Sequence, residues 1–426
     1  MLTVSFVIAT YNRGNVLLDC LQRTLACGLP REQFSIIVVD NASTDGTAER
    51  VGTLCREKTN VRLIRLAKNC GPVAKNAGLH KNPADLVVLL DDDAYPLPGA
   101  VARMIDHFEA DPTLGAAVFD VMLPDGSREG SAYPDVFIGA GTGLRNSALR
   151  QLAAEKQSGG RGGPLLPRDF FMQAEEYDLS FRLIAAGYSV QRFADLPLMH
   201  LKSPGARIGQ RTTRLDVRNN LYLLAKYLPA RLCHELAADW LSRYWRMALA
   251  RDQRQSPDAA HGTHKQAFIR GAAQGLAAWG AQRQGGRLVL APGAIEHIFK
   301  FEAIEHRLAR LATDGGLRRI AFADMGKNLL AYFQAAKRLG LEVTAIVDDQ
   351  IPGGEYRGIE VIPGQTFLEK GSRADALVIT TLSRVHAQRR GEALRRSMAK
   401  MPVIDLFAEA ERGGRSGEID AAALVH

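Results

Sequence analysis

Three consecutive carboxylates, Asp91-Asp92-Asp93, directly follow the apolar run Leu86–Leu90. Adjacent like charges repel, so a fold that keeps them must offset them with a cation or with hydrogen-bond donors. In an extended chain Asp91 and Asp93 point one way and Asp92 the other. The alternate pair can share one hard divalent cation, which takes few protein oxygens and keeps positions for phosphate and water. From the triplet alone, a strand-end turn with Asp92 capping a helix reads equally well. Other polar clusters share its setting: Thr10-Tyr11-Asn12-Arg13, Asp40-Asn41-Ala42-Ser43-Thr44-Asp45-Gly46 and Asn69-Cys70-Gly71-Pro72 each follow a β-rich run. A further acidic pair, Glu175-Glu176, opens a helix-like stretch over 175–186 that Gly187 ends.

The elements that must position these groups alternate. Val4–Ala9, Ser35–Asp40, Val61–Leu66 and Leu86–Leu90 read as strands buried on both faces. Between them, Val16–Ala26, Thr47–Lys58 and Val73–His80 read as helices. That alternation predicts a mostly parallel sheet covered on both sides. Ligands of such sheets bind at the carboxyl ends of the strands, where all four polar clusters fall. The loop Phe137–Leu144, with Gly139, Gly141 and Gly143, is expected either to leave room for a substrate or to form a tight turn. A Gly-rich stretch, 158–164, reads as a loop.

These segments together resemble the family 2 glycosyltransferases, whose catalytic domain has the GT-A fold. Residues 4–13 are similar to that family's opening strand and nucleotide-contacting loop, and 38–47 to its second, whose first acid, here Asp40, recognises the base. Residues 69–78 resemble the segment after the third strand, with Lys75 where Arg is commoner, and Asp91-Asp92-Asp93 looks like the DXD motif. Residues 175–183 resemble the Glu-Asp-x-Asp-Leu helix start, except that Glu176 stands in the catalytic base's usual Asp position; Glu175 is the alternative base. His200 resembles the His that completes the metal site. The resemblance covers roughly residues 1–225 and implies an inverting, metal-dependent, non-processive transfer from a nucleoside-diphosphate sugar, in synthesis of a cell-surface polysaccharide or glycoconjugate. The acceptor would be a carbohydrate, a lipid-linked molecule or a protein. It implies Mg²⁺ or Mn²⁺ at Asp91, Asp93 and His200, and nucleotide contacts from Thr10, Tyr11, Arg13, Asp40, Asn41, Asn69, Lys75, Asp91 and Asp92. It places Glu176 at a helix N-terminus, whose dipole favours the ionised base. The Gln-x-x-Arg-Trp motif of the family's processive polymer synthases is not matched; Gln210-Arg-Thr-Thr-Arg shares only the Gln.

The remaining half predicts other bodies: a helical connector or linker over 226–285, a smaller Rossmann-like α/β domain over 286–412 and a polar tail, 413–426. Arg319–Ala323, Glu342–Val347, Ala376–Thr381 and Val403–Leu406 read as its strands. The turn after the first keeps only Gly326 of a dinucleotide fingerprint, and Asp348-Asp349 stand where a ribose-binding acid would lie. That unit leaves open a bifunctional enzyme acting on a nucleotide sugar, as an inactive, scaffolding protein stays open for the whole. Five cysteines without a CxxC pair suggest neither disulfides nor zinc, and a reducing cytoplasm is expected. The net charge of +8 is concentrated between Lys202 and Gln255, where eleven Lys/Arg face four Asp/Glu. This surplus suits an anionic partner, such as the inner face of a membrane touched peripherally, a lipid diphosphate or the substrate's phosphates, or else a solvated helix surface. No nucleic-acid partner is expected. Trp240, Tyr244 and Trp245 read either as interfacial anchors or as packing.

Overall fold

The computed structural model describes residues 1–154, 164–202, 209–254, 263–284, 288–351, 353–371, 373–399 and 401–408. The Gly-rich stretch 158–164, apart from Pro164, and the tail 413–426 lie outside them. The chain forms two compact units: residues 1–131, 135–227 and 271–290, and residues 132–134, 228–270 and 291–426. The segment expected as a connector, 226–285, is thus divided between both.

The first unit is built on a nine-stranded mixed sheet. Its strands are β1 (Val4–Thr10), β2 (Phe34–Asp40), β3 (Val61–Arg65), β4 (Leu86–Asp91), β5 (Ala94–Pro96), β6 (Leu114–Met122), β7 (Arg128–Glu129), β8 (Gly141–Arg145) and β9 (Ser189–His200). They lie in the order β3-β2-β1-β4-β8-β6-β9-β5, with β7 on β6. β1 to β4 are mutually parallel, whereas β8 runs antiparallel to both β4 and β6. The helices are α1 (Gly14–Leu25), α2 (Thr47–Glu57), α3 (Lys75–His80), α4 (Ala100–Ala110), α5 (Asn146–Ala154), α6 (Glu175–Ala185) and α7 (Gln210–Tyr227). The expected fold class, a mostly parallel mixed sheet with helices, is what the chain adopts.

The period of two along the strands explains why the sheet is covered on both sides. Phe6, Ile8, Ile36, Val38, Val88 and Leu90 enter one core, while Val7, Ile37, Val39, Val87 and Leu89 enter the other. A side chain buried this fully contributes about 1.5–3 kcal/mol. The glycines expected to loosen the loop at 137–144 act otherwise. Gly141 and Gly143 belong to β8, and a Cβ at either would strike Leu198 or Met104, so they serve close packing.

Helix α6 is fastened to α7 from below the site. Asp178, fully buried, pairs with Arg182 Nε at 3.0 Å and Lys226 Nζ at 2.5 Å, and it accepts a hydrogen bond from Tyr227 Oη at 2.7 Å. Burial alone would raise this carboxyl, but Arg182 and Lys226 hold it below its usual range.

The second unit begins with α8 (Ala230–Arg254); α9 (His264–Gln284), in the stretch read as a linker, contributes to both units. Pro229 lies between α7 and α8. The unit continues with α10 (Pro292–Phe299), α11 (Phe301–Thr313), β10 (Arg319–Ala323), α12 (Leu329–Arg338), β11 (Glu342–Val347), β12 (Glu355–Tyr356), β13 (Ile359–Ile362), α13 (Gly364–Glu369), β14 (Ala376–Ile379), α14 (Arg384–Ser397) and β15 (Val403–Asp405). The strand order is β12-β13-β11-β10-β14-β15, parallel except for the short β12. The acids expected to hold a ribose are engaged within the protein. Asp348 accepts the amides of Met325, Gln350 and Ile351, and Asp349 shares Arg390 with Asp324. Trp240 and Tyr244 are buried, and Trp240 Nε1 donates to Lys327 O at 3.1 Å, which favours packing. Among the described residues no helix is long and apolar enough to cross a membrane.

Asp178→Ala would leave buried Arg182 and partly buried Lys226 without their carboxylate, a change of about 3–5 kcal/mol for a broken buried pair. Urea unfolding followed by circular dichroism should register that loss, and Lys226→Met should lose less.

Candidate active site

The parallel register brings the polar clusters to one edge. Thr10 pairs with Asp40 and Ala9 with Asp91, so the carboxyl ends of β1, β2 and β4 stand side by side. Asp91 ends β4, and the chain turns at Asp92 and Asp93 before β5. β5 then pairs antiparallel with β9, opposing Ala94 to His200, and this brings His200 back to the triplet across more than a hundred residues of chain.

Each carboxylate of the triplet has its own cationic or hydroxyl partner. Asp92, buried, accepts Thr10 Oγ1 at 2.8 Å and Arg13 Nη1 at 2.7 Å. Burial nonetheless pushes its carboxyl up to about 6. Arg13 Nη2 reaches Asp93 at 2.8 Å. Lys75, itself buried, donates to Asp91 Oδ1 at 2.9 Å and to Gly139 O at 3.0 Å. Asp91, Asp93 and His200 can each direct one ligand atom to a common point, the three atoms lying within 4.8 Å of one another. His200 Nε2, fully buried, lies 3.2 Å from Asp93 Oδ1. Two carboxylates and an imidazole suit a small divalent cation such as Mg²⁺ or Mn²⁺.

Behind His200 stands a residue that sequence reasoning missed. Glu129, on the two-residue β7, meets His200 Nδ1 at 2.7 Å and is itself paired with Lys202 at 3.0 Å. A carboxylate on the far nitrogen fixes the ring's orientation, as outer partners of ligating imidazoles do. Burial lowers the His200 imidazolium, but the Asp93 and Glu129 carboxylates outweigh it and lift it to about 9. The same contacts hold Asp93 well below the usual carboxylate range against the effect of burial, and Glu129 at about 2.

The residues expected at the nucleotide divide into exposed and bracing groups. Tyr11 is exposed at the end of β1. Asp40, buried, accepts the Ser43 amide at 3.3 Å. Asn41 braces the loop after β3: its amide group donates to Asn69 Oδ1 and Gly71 O at 3.0 Å each, and its carbonyl accepts Cys70 N at 2.8 Å. Asn69 in turn accepts Gly71 N. Lys75 and Arg13, expected at the nucleotide, are both engaged with the acidic triplet.

A cavity of about 140 Å³ opens next to Asp91 and Lys75. Glu175 and Glu176 line it, with Leu89, Met172 and Gln173. A Cβ on Gly139 would come within 3.0 Å of Glu176 Oε1, so a glycine there lets the carboxylate approach the Lys75 ammonium. The expectation that the helix N-terminus holds Glu176 ionised is reversed. Burial raises the carboxyls of both Glu175 and Glu176, and Lys75 only partly offsets it. Glu175 is buried, with Oε2 outside any hydrogen bond; the neighbouring Glu176 raises it further, well above the ordinary range. Glu176 is half-buried.

Residues 5–133 match the family model of Glycosyl transferase family 2. Over residues 5–133 the chain is thus similar to the family 2 glycosyltransferases. The chain is 33% identical over 114 residues to the poly-β-1,6-N-acetyl-D-glucosamine synthase of Staphylococcus aureus (strain MSSA476), covering 26% of this chain and 27% of that protein. It is 34% identical over 110 residues to the succinoglycan biosynthesis protein ExoO of Rhizobium meliloti (strain 1021), covering 25% and 30%. The chain therefore spans between a quarter and a third of the length of these curated relatives. Among solved structures, the mannosyltransferase PcManGT from Pyrobaculum calidifontis, in complex with GDP-Man and Mn²⁺, matches 65% of this chain and 87% of its own with TM-score 0.46 and 22% identity. The family match ends before Glu175, Glu176 and His200.

Glu175 supplies a test by its stability. A carboxyl raised in the folded state contributes fully below its unfolded value of about 4.3, and that contribution is lost as pH rises. Glu175→Gln cannot ionise and should unfold near the wild-type temperature at pH 4 and at a higher temperature at pH 8. Differential scanning calorimetry at both pH values reads this; an equal shift at both would mean that the buried proton is not the cause.

Proposed function

We propose that the protein transfers a sugar from a nucleoside-diphosphate sugar to an acceptor hydroxyl by a single inverting displacement, adding one or a few sugars in polysaccharide or glycoconjugate synthesis. The observation that carries this reading is the meeting, on one sheet edge, of a Glu175/Glu176-lined cavity with the Asp91, Asp93 and His200 cluster. The names of the two sequence relatives, a polysaccharide synthase and a succinoglycan biosynthesis protein, support the product class.

Asp91, Asp93 and His200 would hold a Mg²⁺ or Mn²⁺ ion, whose charge stabilises a leaving diphosphate. Arg13 keeps Asp92 and Asp93 in place beside it. The loop around Tyr11 and Asp40 borders the base and ribose. Glu175 is buried and Glu176 half-buried at the cavity, which makes Glu176 the reachable base. Glu176 takes the proton of the acceptor hydroxyl while that oxygen attacks the anomeric carbon from the side opposite the diphosphate. One bond forms as the other breaks, the anomeric centre inverts, and no covalent glycosyl-enzyme arises. Alignment of donor and acceptor supplies much of the acceleration. Because the base is raised, the rate should climb with pH through a value above the ordinary glutamate range.

Calorimetric titration of UDP, GDP and dTDP and their common sugar conjugates, with and without Mg²⁺ or Mn²⁺, tests the donor site. One nucleotide should bind only with metal, and Asp93→Ala should abolish that binding. Glu176→Gln should bind the same nucleotide normally yet lose at least about 100-fold in transfer, the scale of a general base. Metal-independent binding, or none, would sink the transferase reading.

A further inference from the structure

The glutamates are presented by a segment that the backbone would not adopt unaided. Of the four residues preceding Glu175, three non-glycine residues sit at positive φ: Phe171 at 60°, Gln173 at 73° and Ala174 at 66°. L residues visit this region rarely, and a run of them persists only where the surroundings impose it. Ala174 is the residue from which α6 starts, so its conformation sets the direction in which Glu175 and Glu176 leave the loop. Met172 and Gln173 of the same segment line the cavity.

The segment's carbonyls meet side chains of the neighbouring helix. Asn219, on α7, is fully buried, and its Nδ2 lies 2.9 Å from Phe170 O, 2.7 Å from Met172 O and 2.8 Å from Gln173 O. Arg218 Nη2 adds bonds to Asp169 O at 2.6 Å and Phe170 O at 3.0 Å. The opposite side of the loop is closed by backbone. Gly71, at φ +69°, comes so near that a Cβ there would stand 2.5 Å from Phe171 O. Three carbonyls of the strained segment, those of Phe170, Met172 and Gln173, thus converge on a single buried amide group.

We propose that Asn219 is a positioning residue for the acid pair, holding residues 170–174 in the strained form that aims Glu175 and Glu176 into the cavity. This rests on the reading of the glutamates given above. Asn219 touches no reacting atom; it acts by turning three carbonyls inward. Without it the loop can relax to negative φ, α6 begins differently, and the carboxylates leave the cavity while the sheet edge and its acidic triplet stay as they are.

The test combines exchange and kinetics on the full chain. In Asn219→Ala, amide hydrogen exchange over 170–176 should accelerate by about tenfold or more, with protection in β1 and β4 unchanged. kcat should fall by roughly 100-fold with the donor sugar that the wild type uses, whereas donor KM and the Kd for its nucleoside diphosphate stay within about twofold. Adding Ala174→Gly, which makes positive φ accessible at the helix start, should restore a part of kcat. A loss of general packing would not be rescued there. Should Asn219→Ala fail to fold, Asn219→Ser, which keeps one donor, takes its place with the same expected signs. Wild-type exchange over 170–176 in the variant, or an unchanged kcat, overturns the proposal. If the wild type itself transfers no sugar, the reading of the glutamates fails, and the exchange result alone decides whether Asn219 holds the loop.

Discussion

The organising constraint is the repulsion among carboxylates collected where β4 ends. Asp91, Asp92 and Asp93 are consecutive, and Glu129 reaches the same place from β7. Left unpaired in a buried edge, these charges would oppose folding. The protein answers with cations drawn from separate parts of the sequence: Arg13 from the loop after β1, Lys75 from α3, His200 from the end of β9 and Lys202 just beyond it. Each partner ties its own element to the triplet. The order of strands β1, β4 and β9 around the site is therefore tied to electrostatics as well as to apolar packing.

The glutamate pair follows the opposite logic. Asp93 is held below the usual carboxylate range by His200 and Arg13, but Glu175 and Glu176 meet mainly burial, with Lys75 already engaged by Asp91 and Gly139. Acids of one site thus differ in kind: the carboxyls of Asp93 and Glu129 are lowered, whereas those of Glu175 and Glu176 are raised. Such a division of roles is what proton transfer beside a charged leaving group requires. It comes from environment alone, since the side chains are chemically almost the same.

How much of this was legible in the sequence depends on range. The β1 to β4 alternation, the triplet, the acidic pair at a helix start and the residue His200 could be read because each rests on local pattern or on a resemblance in order and spacing. Glu129 could not: it sits on a two-residue strand, and only the pairing of β7 with β6 brings it to His200. Asn219 lies mid-helix in a polar run, where nothing local marks it as facing three carbonyls. Gly141 and Gly143 read as loosening a loop because spacing does not reveal that Met104 and Leu198 press against a strand there. The sign of the Glu176 shift was also out of reach. A helix N-terminus is visible in sequence, but the burial that overrides its dipole is a tertiary quantity.

The expected ribose acid of the second unit makes the same point from the other direction. Asp348 and Asp349 stand at the end of β11 as a fold-level analogy requires, yet position at a strand end does not make a carboxylate available. Asp348 already accepts three backbone amides, and Asp324, at φ +70°, reaches Arg390 together with Asp349. In the first unit the corresponding strand ends keep a cavity and a cluster of ligand atoms; in the second the polar groups satisfy one another. The two sheets share a parallel plan and both pair their strand-end acids within the chain; in the first unit Asp91, Asp93 and His200 also direct ligand atoms to a common point beside a cavity. Chemistry is therefore better assigned to the edge of the first sheet, beside the cavity that Glu175 and Glu176 line.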